Sequence, residues 1–287
     1  MYLYARKPKN DPDSNNMAGL STSPKSRWLR RLLACAAAAP ANGVRLHVQH
    51  PLAVGAALAL SDNQHHYLSS VMRLRAGDSL AVFNGVDGEW IARVAAVERR
   101  SSTLEVTRLS RPQSDALETD GATSLAFAVL KSSVLPMLVQ KATELGASKL
   151  CPIVTQQCAV RKLNVPRLQA VAIEAAEQSG RLTVPSIEEP KPLGALLQQW
   201  QVGRLLVCDE RGAKGREVLP LSQVASPSNG STSNAELRVL VGPEGGFSPD
   251  EFEAMQQHEL VEFVSLGRNV LRAETAALAA MAIIGCR

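Results

Sequence analysis

The chain is poor in aromatic residues and in cysteines, and each shortage argues against a class of site. Aromatic side chains make up 4% of the 287 residues, so phosphate contacts rather than base stacking would dominate any binding of nucleic acid. The five cysteines are scattered and never spaced as Cys-x-x-Cys, which argues against a disulfide framework and a zinc site. We therefore expect unpaired thiols, a reducing compartment and no bound metal.

Long apolar runs are also missing from the sequence. No stretch reaches the roughly 18 consecutive apolar residues that a membrane-spanning helix needs. The chain is 45% hydrophobic and 20% charged, with a net charge of +4, and these values are typical of a globular protein. Its slight basic bias permits an anionic partner without requiring one, and its length suits two modest domains.

Acidic residues are absent between Met17 and Ser61. This interval overlaps an N-terminal segment, residues 1–43, that is rich in Arg, Ser and Ala, as plastid and mitochondrial transit peptides are. One hypothesis is therefore import into a plastid or a mitochondrion. The alternative is a disordered leader or an overextended start, with Met17 as a second initiator, and the protein would then be cytoplasmic.

Residues 44–111 predict a small, mostly β domain. An alternating strand at 44–48 precedes a capping box at Ser61 and Gln64, which begins a helix expected to run to about Leu74. Three further strands follow at 79–83, 89–97 and 103–109, with Asn-Gly and Asp-Gly turns between the first two. The domain carries many arginines, among them Arg73 and Arg75, that would suit a phosphate backbone.

A polar, turn-rich linker at 112–122 leads into a second domain at 123–287. There strand and helix patterns alternate, which predicts an α/β fold with a parallel sheet. Predicted strands lie at 124–130, 150–154, 204–208 and 237–241, and residues 222–234 are predicted to form a surface loop.

The sequence LVGPEGGFSPDEF places three glycines between a buried strand and a capped helix. Ser248 is the predicted N-cap, Pro249 the first helical residue and Glu251 the partner in a second capping box. The glycines therefore lie at the carboxyl end of a strand, where open α/β sheets bind ligands. The spacing matches neither a P-loop nor a dinucleotide fingerprint.

A second strand that ends in glycine is predicted at 263–267, followed by polar residues and an apolar helix at 273–284. Arg268, Asn269, Arg272, Glu274 and Thr275 stand beside this helix. Burying such groups is costly unless they have partners, so a ligand pocket or a subunit interface is expected. Two such strand ends together predict a site for an adenosine-sized ligand.

The motifs LVGPEGGFSPDE and LGRNVLRAETAALAA resemble the RsmE family of SPOUT methyltransferases, as do QKATELGASKLCPIVTQQCAVRK and EAAEQSGRLTVP upstream. The first domain resembles the family's PUA-like RNA-binding barrel. The resemblance covers residues 44–287. It implies a C-terminal α/β trefoil knot, a homodimer, S-adenosylmethionine as cofactor and small-subunit ribosomal RNA or the assembled small subunit as partner. At Gln156 and Gln157 the chain departs from the family's usual charged pair.

The resemblance also assigns roles to residues of this sequence. The cofactor would be bound by the two glycine-containing loops and the following helix: Gly242, Pro243, Glu244, Gly245, Gly246, Leu266, Gly267, Asn269, Val270, Leu271 and Thr275. The chemistry of the reaction makes Arg272 the candidate stabiliser of a developing uracil anion and Glu274 the candidate base. Helix capping or a contact between subunits is the alternative role for Glu274. Charge alone, rather than the resemblance, makes Arg73, Arg75, Lys131 and Arg181 candidate RNA contacts, and solvated surface charge is the alternative for each.

The predicted reaction is S-adenosylmethionine-dependent methylation of N3 of a uridine in 16S-type ribosomal RNA. One alternative is ribose 2′-O methylation by the same fold, although the loop sequences of that subfamily are not present. Another is a noncatalytic RNA-binding protein that acts in ribosome assembly. Cofactor binding and the identity of the methylated nucleoside separate the three.

Overall fold

The computed structural model describes residues 43–115, 123–158, 160, 162–209, 218–224 and 237–285. These residues all belong to one unit of the chain, Pro40–Arg287. Most of the predicted N-terminal segment, much of the linker and most of the loop at 222–234 lie outside the described residues. Among the described residues, no helix is both long enough and apolar enough to cross a membrane.

Residues 43–115, which we call the N-terminal domain, contain a five-stranded sheet in the order β1-β3-β4-β5-β2. All contacts are antiparallel except that between β1 and β3. The elements are β1 (Arg45–His47), β2 (Ala57–Ala59), α1 (Asp62–His66), β3 (Ser79–Phe83), β4 (Glu89–Val97) and β5 (Ser102–Arg111).

The predicted helix of the N-terminal domain is shorter than expected. Its capping box is confirmed, since the Ser61 hydroxyl accepts from the backbone N–H of Gln64 and the Gln64 side-chain oxygen accepts from the backbone N–H of Ser61. After α1 the chain widens into a π-helical turn, Tyr67–Val71, and Arg73 has a φ of 55°. That left-handed residue ends the helix before Leu74, so the predicted end is wrong by about one turn.

The C-terminal domain, residues 123–285, contains the predicted parallel sheet. Its strand order is β12-β10-β11-β6-β7-β8, and β9 also pairs with β7. Its strands are β6 (Thr123–Ala128), β7 (Lys149–Val154), β8 (Ser186–Ile187), β9 (Lys191–Pro192), β10 (Arg204–Cys208), β11 (Leu237–Val241) and β12 (Val261–Val264). Its helices are α2 (Leu135–Glu144), α3 (Val165–Ser179), α4 (Leu193–Gln199), α5 (Leu221–Val224), α6 (Pro249–Gln256) and α7 (Ala273–Gly285).

Both faces of this sheet are buried because its strands are apolar at successive positions. Leu206 packs with α2, α3 and α7 in one core cluster. Its neighbours Leu205 and Val207 pack with α4 and α6 in another. Successive side chains of a strand point to opposite faces, so an uninterrupted apolar run needs helices on both sides.

Strand β12 differs from the prediction at both ends. It pairs with β10 from Leu205–Val261 to Cys208–Val264, and β10 ends at Cys208. Ser265 instead exchanges backbone hydrogen bonds with Leu219 and Leu221. The predicted bounds of this strand, 263–267, are therefore wrong. The strand lies at Val261–Val264 and ends where its partner β10 ends.

Candidate active site

A cleft opens at the carboxyl ends of β10, β11 and β12. These three parallel strands are neighbours in the sheet, so the loops that follow them meet at one edge. The cleft has a volume of 280 Å³, close to the lower end of the size range of small-molecule sites. The site predicted from two chain segments is thus a single cavity.

Ten of the eleven predicted cofactor-binding residues line this cleft. They form two loops, which we call the glycine loop (residues 242–246) and the second loop (residues 266–271). The predicted residues that line the cleft are Gly242, Pro243, Glu244, Gly245, Gly246, Leu266, Gly267, Asn269, Val270 and Leu271. Thr275 is exposed and lies outside the lining of the cleft.

The glycine loop is shaped by close packing. A Cβ atom on Gly242 would lie 2.9 Å from the Phe247 ring, closer than real side chains approach, so any other residue there would force the buried ring to shift. Gly246 has a φ of 73° and Gly267 in the second loop a φ of 127°, both in the region that favours glycine. These glycines let the backbone itself form the wall of the cleft.

Helix α6 is anchored directly after the glycine loop. Ser248 accepts from the Glu251 amide at 3.2 Å, and Glu251 accepts from the Ser248 amide at 3.0 Å, which confirms the predicted capping box. Glu251 also accepts from the Gln156 amide at 2.8 Å. One carboxylate therefore joins the start of α6 to the loop after β7.

Three cleft residues were not predicted from the sequence. They are the last residue of β10, the residue that follows it, and the last residue of β12. Cys208, Asp209 and Val264 line the cleft. Burial, and then the charge of Asp209, raises the pKa of the Cys208 thiol to about 12, so this thiol is neutral at physiological pH. No glycine directly follows β10, so the sequence gives no local sign that its carboxyl end belongs to the site. Only the strand order places β10 between β11 and β12.

The charge of the cleft separates it from phosphate-binding loops. Among the described residues that line it, Asp209 and Glu244 are acidic and no lysine or arginine occurs. Asp209 is 8% exposed. A cleft of this composition disfavours a triphosphate and favours a ligand that carries positive charge.

The candidate catalytic residues lie at the start of α7, just beyond the cleft lining. Arg272 is exposed and Glu274 is half-buried. The Arg272 carbonyl accepts from the Ala276 amide at 2.8 Å, which places Arg272 at the first turn of the helix. Ala273 and Ala276 line the cleft, so Arg272 and Glu274 are each within two residues of a cleft-lining position.

The candidate RNA contacts fall into two groups. Arg73, Arg75 and Lys131 are exposed and accessible to an anionic partner. Arg181 is 7% exposed and donates to the carbonyls of Thr143 and Ala147, both at 2.8 Å. The RNA role predicted for Arg181 is therefore corrected, because its guanidinium is buried against the end of α2.

Comparison with known proteins places the chain among RNA methyltransferases. An RNA methyltransferase domain model matches residues 118–285, and a model of the PUA domain of RNA methyltransferases matches residues 60–107. The chain is 34% identical over 240 residues to "Ribosomal RNA small subunit methyltransferase E" of Rickettsia conorii, covering 83% of this chain and 93% of the relative.

The chain belongs to this RNA methyltransferase family. The Synechocystis member is 29% identical, covering 84% of this chain and 76% of the relative. The Neisseria gonorrhoeae member, whose structure has S-adenosyl methionine bound, is 26% identical with a TM-score of 0.69, covering 83% of this chain and 95% of that one. The predicted SPOUT fold with an N-terminal PUA domain is confirmed.

Proposed function

We propose that the protein transfers a methyl group from S-adenosylmethionine to N3 of a uridine in small-subunit ribosomal RNA. The observation that carries the proposal is the acidic, glycine-walled cleft at the edge of the sheet. Its backbone surfaces suit an adenosine, and Asp209 and Glu244 suit the positive charges of the sulfonium and the amino group. The relatives named as small-subunit ribosomal RNA methyltransferases, one of them with this cofactor bound, support the substrate class and the cofactor. The N3 position rests on the resemblance of the sequence motifs.

In this proposal the chain contributes mainly position. Bound S-adenosylmethionine supplies an electrophilic methyl group, and the cleft loops hold it in one orientation against the target base. Fixing two reactants in line accounts for up to ~7–11 kcal/mol of a barrier in favourable cases. Two contacts support the walls of the cleft: Phe247 packs against Gly242, and Glu251 joins α6 to the loop after β7.

Proton transfer completes the reaction, because N3 of uracil loses its proton as the methyl group arrives. Glu274 is half-buried at the first turn of α7 and would accept that proton. Arg272 is exposed two residues earlier in the chain and would stabilise negative charge on a uracil oxygen. These two roles rest on the position of the residues near the cleft.

The proposal extends to a homodimer whose C-terminal domain is threaded as a trefoil knot. The resemblance to the family supports both. Light scattering of the purified protein tests the dimer, and a monomeric mass at micromolar concentration contradicts it.

We also propose that residues 1–43 direct the protein to a plastid or a mitochondrion, on the strength of their acid-poor, Arg-containing composition. Fusing these residues to a fluorescent reporter tests this proposal. Organelle fluorescence is expected, and a diffuse cytoplasmic signal would favour a leader without a targeting role.

The function is tested with small ribosomal subunits that lack the modification, incubated with the protein and methyl-labelled cofactor. The RNA is then digested to nucleosides and analysed by mass spectrometry. We expect 3-methyluridine. A ribose 2′-O-methyl nucleoside would assign the alternative reaction. Folded protein that yields no product and binds no S-adenosylmethionine in calorimetric titration would favour a noncatalytic role in ribosome assembly.

A further inference from the structure

A buried ionic cluster joins the N-terminal domain to helix α3 of the C-terminal domain. At its centre is Glu89, the first residue of β4, which is 4% exposed. Its carboxylate pairs with Arg45 at 2.7 Å and with Arg111 at 2.8 Å. We call these three residues the interdomain triad.

Arg45 connects the triad to the C-terminal end of α3. Its guanidinium donates to the backbone carbonyls of Ala176, Glu177 and Arg181 at 2.8, 2.9 and 2.7 Å. On the other side it lies over the Phe83 ring, 4.5 Å from the ring centre. Arg45 is thus held by both domains at once.

Arg111 makes a parallel connection. It donates to both carboxylate oxygens of Glu89 and to the carbonyl of Gly180 at 2.8 Å. Gly180 ends α3 with a φ of 77°. The last carbonyls of a helix lack partners within the helix and carry partial negative charge, so two arginines of one domain cap a helix of the other.

The chemistry of Glu89 agrees with this arrangement. Burial alone would favour its neutral form, but hydrogen bonds and charges from Arg111 and Arg45 outweigh burial and lower the pKa of the carboxyl. Replacing the carboxylate would leave two guanidinium groups facing each other in a poorly solvated space. Breaking a buried pair by removing one partner is costly for that reason.

The contacts continue from α3 towards the cleft. Arg181, which follows α3, donates from its side chain to Thr143 and Ala147 at the end of α2. Helix α2 shares a core cluster with Ala273 and Ala276 of α7, and both of these alanines line the cleft. Packing contacts and hydrogen bonds therefore connect the triad, through α3, α2 and α7, to the candidate active site.

We propose that Glu89, through Arg45 and Arg111, is a positioning residue that sets the orientation of the N-terminal domain on the cleft domain. RNA bound by the N-terminal domain then meets the methyl donor in a fixed register. This inference rests on the proposed function for its catalytic consequence, whereas its structural consequence is independent of it. Charged hydrogen bonds suit such a task, because their geometry is more restrictive than that of apolar packing.

The test compares Glu89→Gln with Glu105→Gln. Glu105 pairs with Arg93 across the same two strands at 2.8 Å, but the two side chains are 45% and 55% exposed, which makes it a matched control. Hydrogen exchange is followed at the His47 amide, which donates to Glu177 across the domain contact at 2.8 Å. We expect faster exchange there in Glu89→Gln and no change in Glu105→Gln.

Kinetic measurements distinguish misplacement of the RNA from unfolding of the cleft domain. In Glu89→Gln we expect the KM for small subunits to rise about tenfold, as the loss of one charge-assisted contact predicts, with an unchanged Kd for S-adenosylmethionine. Arg45→Lys keeps the charge but loses the forked contacts, so it should give a smaller rise in KM. It serves as the second variant if Glu89→Gln does not fold.

Unchanged exchange at His47 together with an unchanged KM would overturn the inference. So would a loss of cofactor affinity equal to the loss of activity, since that pattern indicates unfolding of the cleft rather than misplacement of RNA. If the wild-type protein does not methylate small subunits, the proposed function fails. The exchange data then test the domain contact alone.

Discussion

At the scale of single residues, the cleft depends on positions where a side chain would not fit. Gly242 lies against the Phe247 ring, and Gly246 and Gly267 have positive φ angles. The sequence alone predicted that these glycines bring backbone to a ligand. It did not identify Cys208 and Asp209, because no local pattern marks the end of β10 as part of the same site.

We expect Gly242→Ala to weaken cofactor binding by roughly 5- to 150-fold, because the new methyl group displaces the Phe247 ring at a cost of roughly 1–3 kcal/mol. Calorimetric titration with S-adenosylmethionine measures this effect. Gly194→Ala is the control: Gly194 lies in α4 with open space around its Cβ position, so stability should stay level or rise by up to ~1 kcal/mol. Equal affinities of Gly242→Ala and the wild type would contradict the close packing.

Cys208 supplies a second prediction at this scale. Burial raises the pKa of its thiol, and that of Cys151, to about 12, and only the thiolate reacts with alkylating agents. Native protein treated with iodoacetamide at pH 8 should therefore remain unmodified at both positions, whereas unfolded protein should react at both. Peptide mass spectrometry provides the readout, and rapid labelling of native Cys208 would show that it is not protected.

At the scale of secondary-structure elements, local patterns predicted most of the fold, and long-range pairing explains the rest. The bounds of β3, β4, β10 and β11 match their predictions, as turn glycines and apolar runs define them locally. Strand β12 was misplaced because its length is set by β10, which lies far away in sequence. Arg181 was misread because only the folded structure brings it against the end of α2.

The two capping boxes allow a matched comparison of elements. Ser248→Ala and Ser61→Ala each remove an N-cap, and each should lower the free energy of unfolding by ~0.5–2 kcal/mol. Only Ser248→Ala should also weaken cofactor binding, because α6 begins directly after the glycine loop. Denaturant unfolding and calorimetric titration measure the two effects. The idea fails if the two variants bind the cofactor equally well.

Arg181 is expected to stabilise the domain rather than to bind RNA. Arg181→Lys should cost ~1.5–3 kcal/mol, the usual range for hydrogen bonds to a charged group, because an ammonium cannot reproduce both carbonyl contacts. The change appears as a lower Tm. Arg75→Lys, at an exposed position, should leave Tm unchanged. A stable Arg181→Lys variant with impaired RNA binding would restore the original interpretation of this residue.

At the scale of the whole molecule, the two domains have separate cores and, in the proposed function, separate tasks. The N-terminal domain presents exposed arginines, whereas the C-terminal domain presents an acidic cleft. This division follows the chemistry of the ligands, since RNA is an anion and the methyl donor carries positive charge. The sequence predicted both domains, but the interdomain triad became visible only when residues 45, 89 and 111 were brought together.

In the proposed function, two neighbouring loops of one cleft hold the methyl donor. A crystal structure of the protein grown or soaked with S-adenosylmethionine tests it most directly. We predict the adenosine against residues 242–246 and 266–271, with the sulfonium near the start of α7. Donor bound at another place, or an empty cleft at a saturating concentration, would contradict the account.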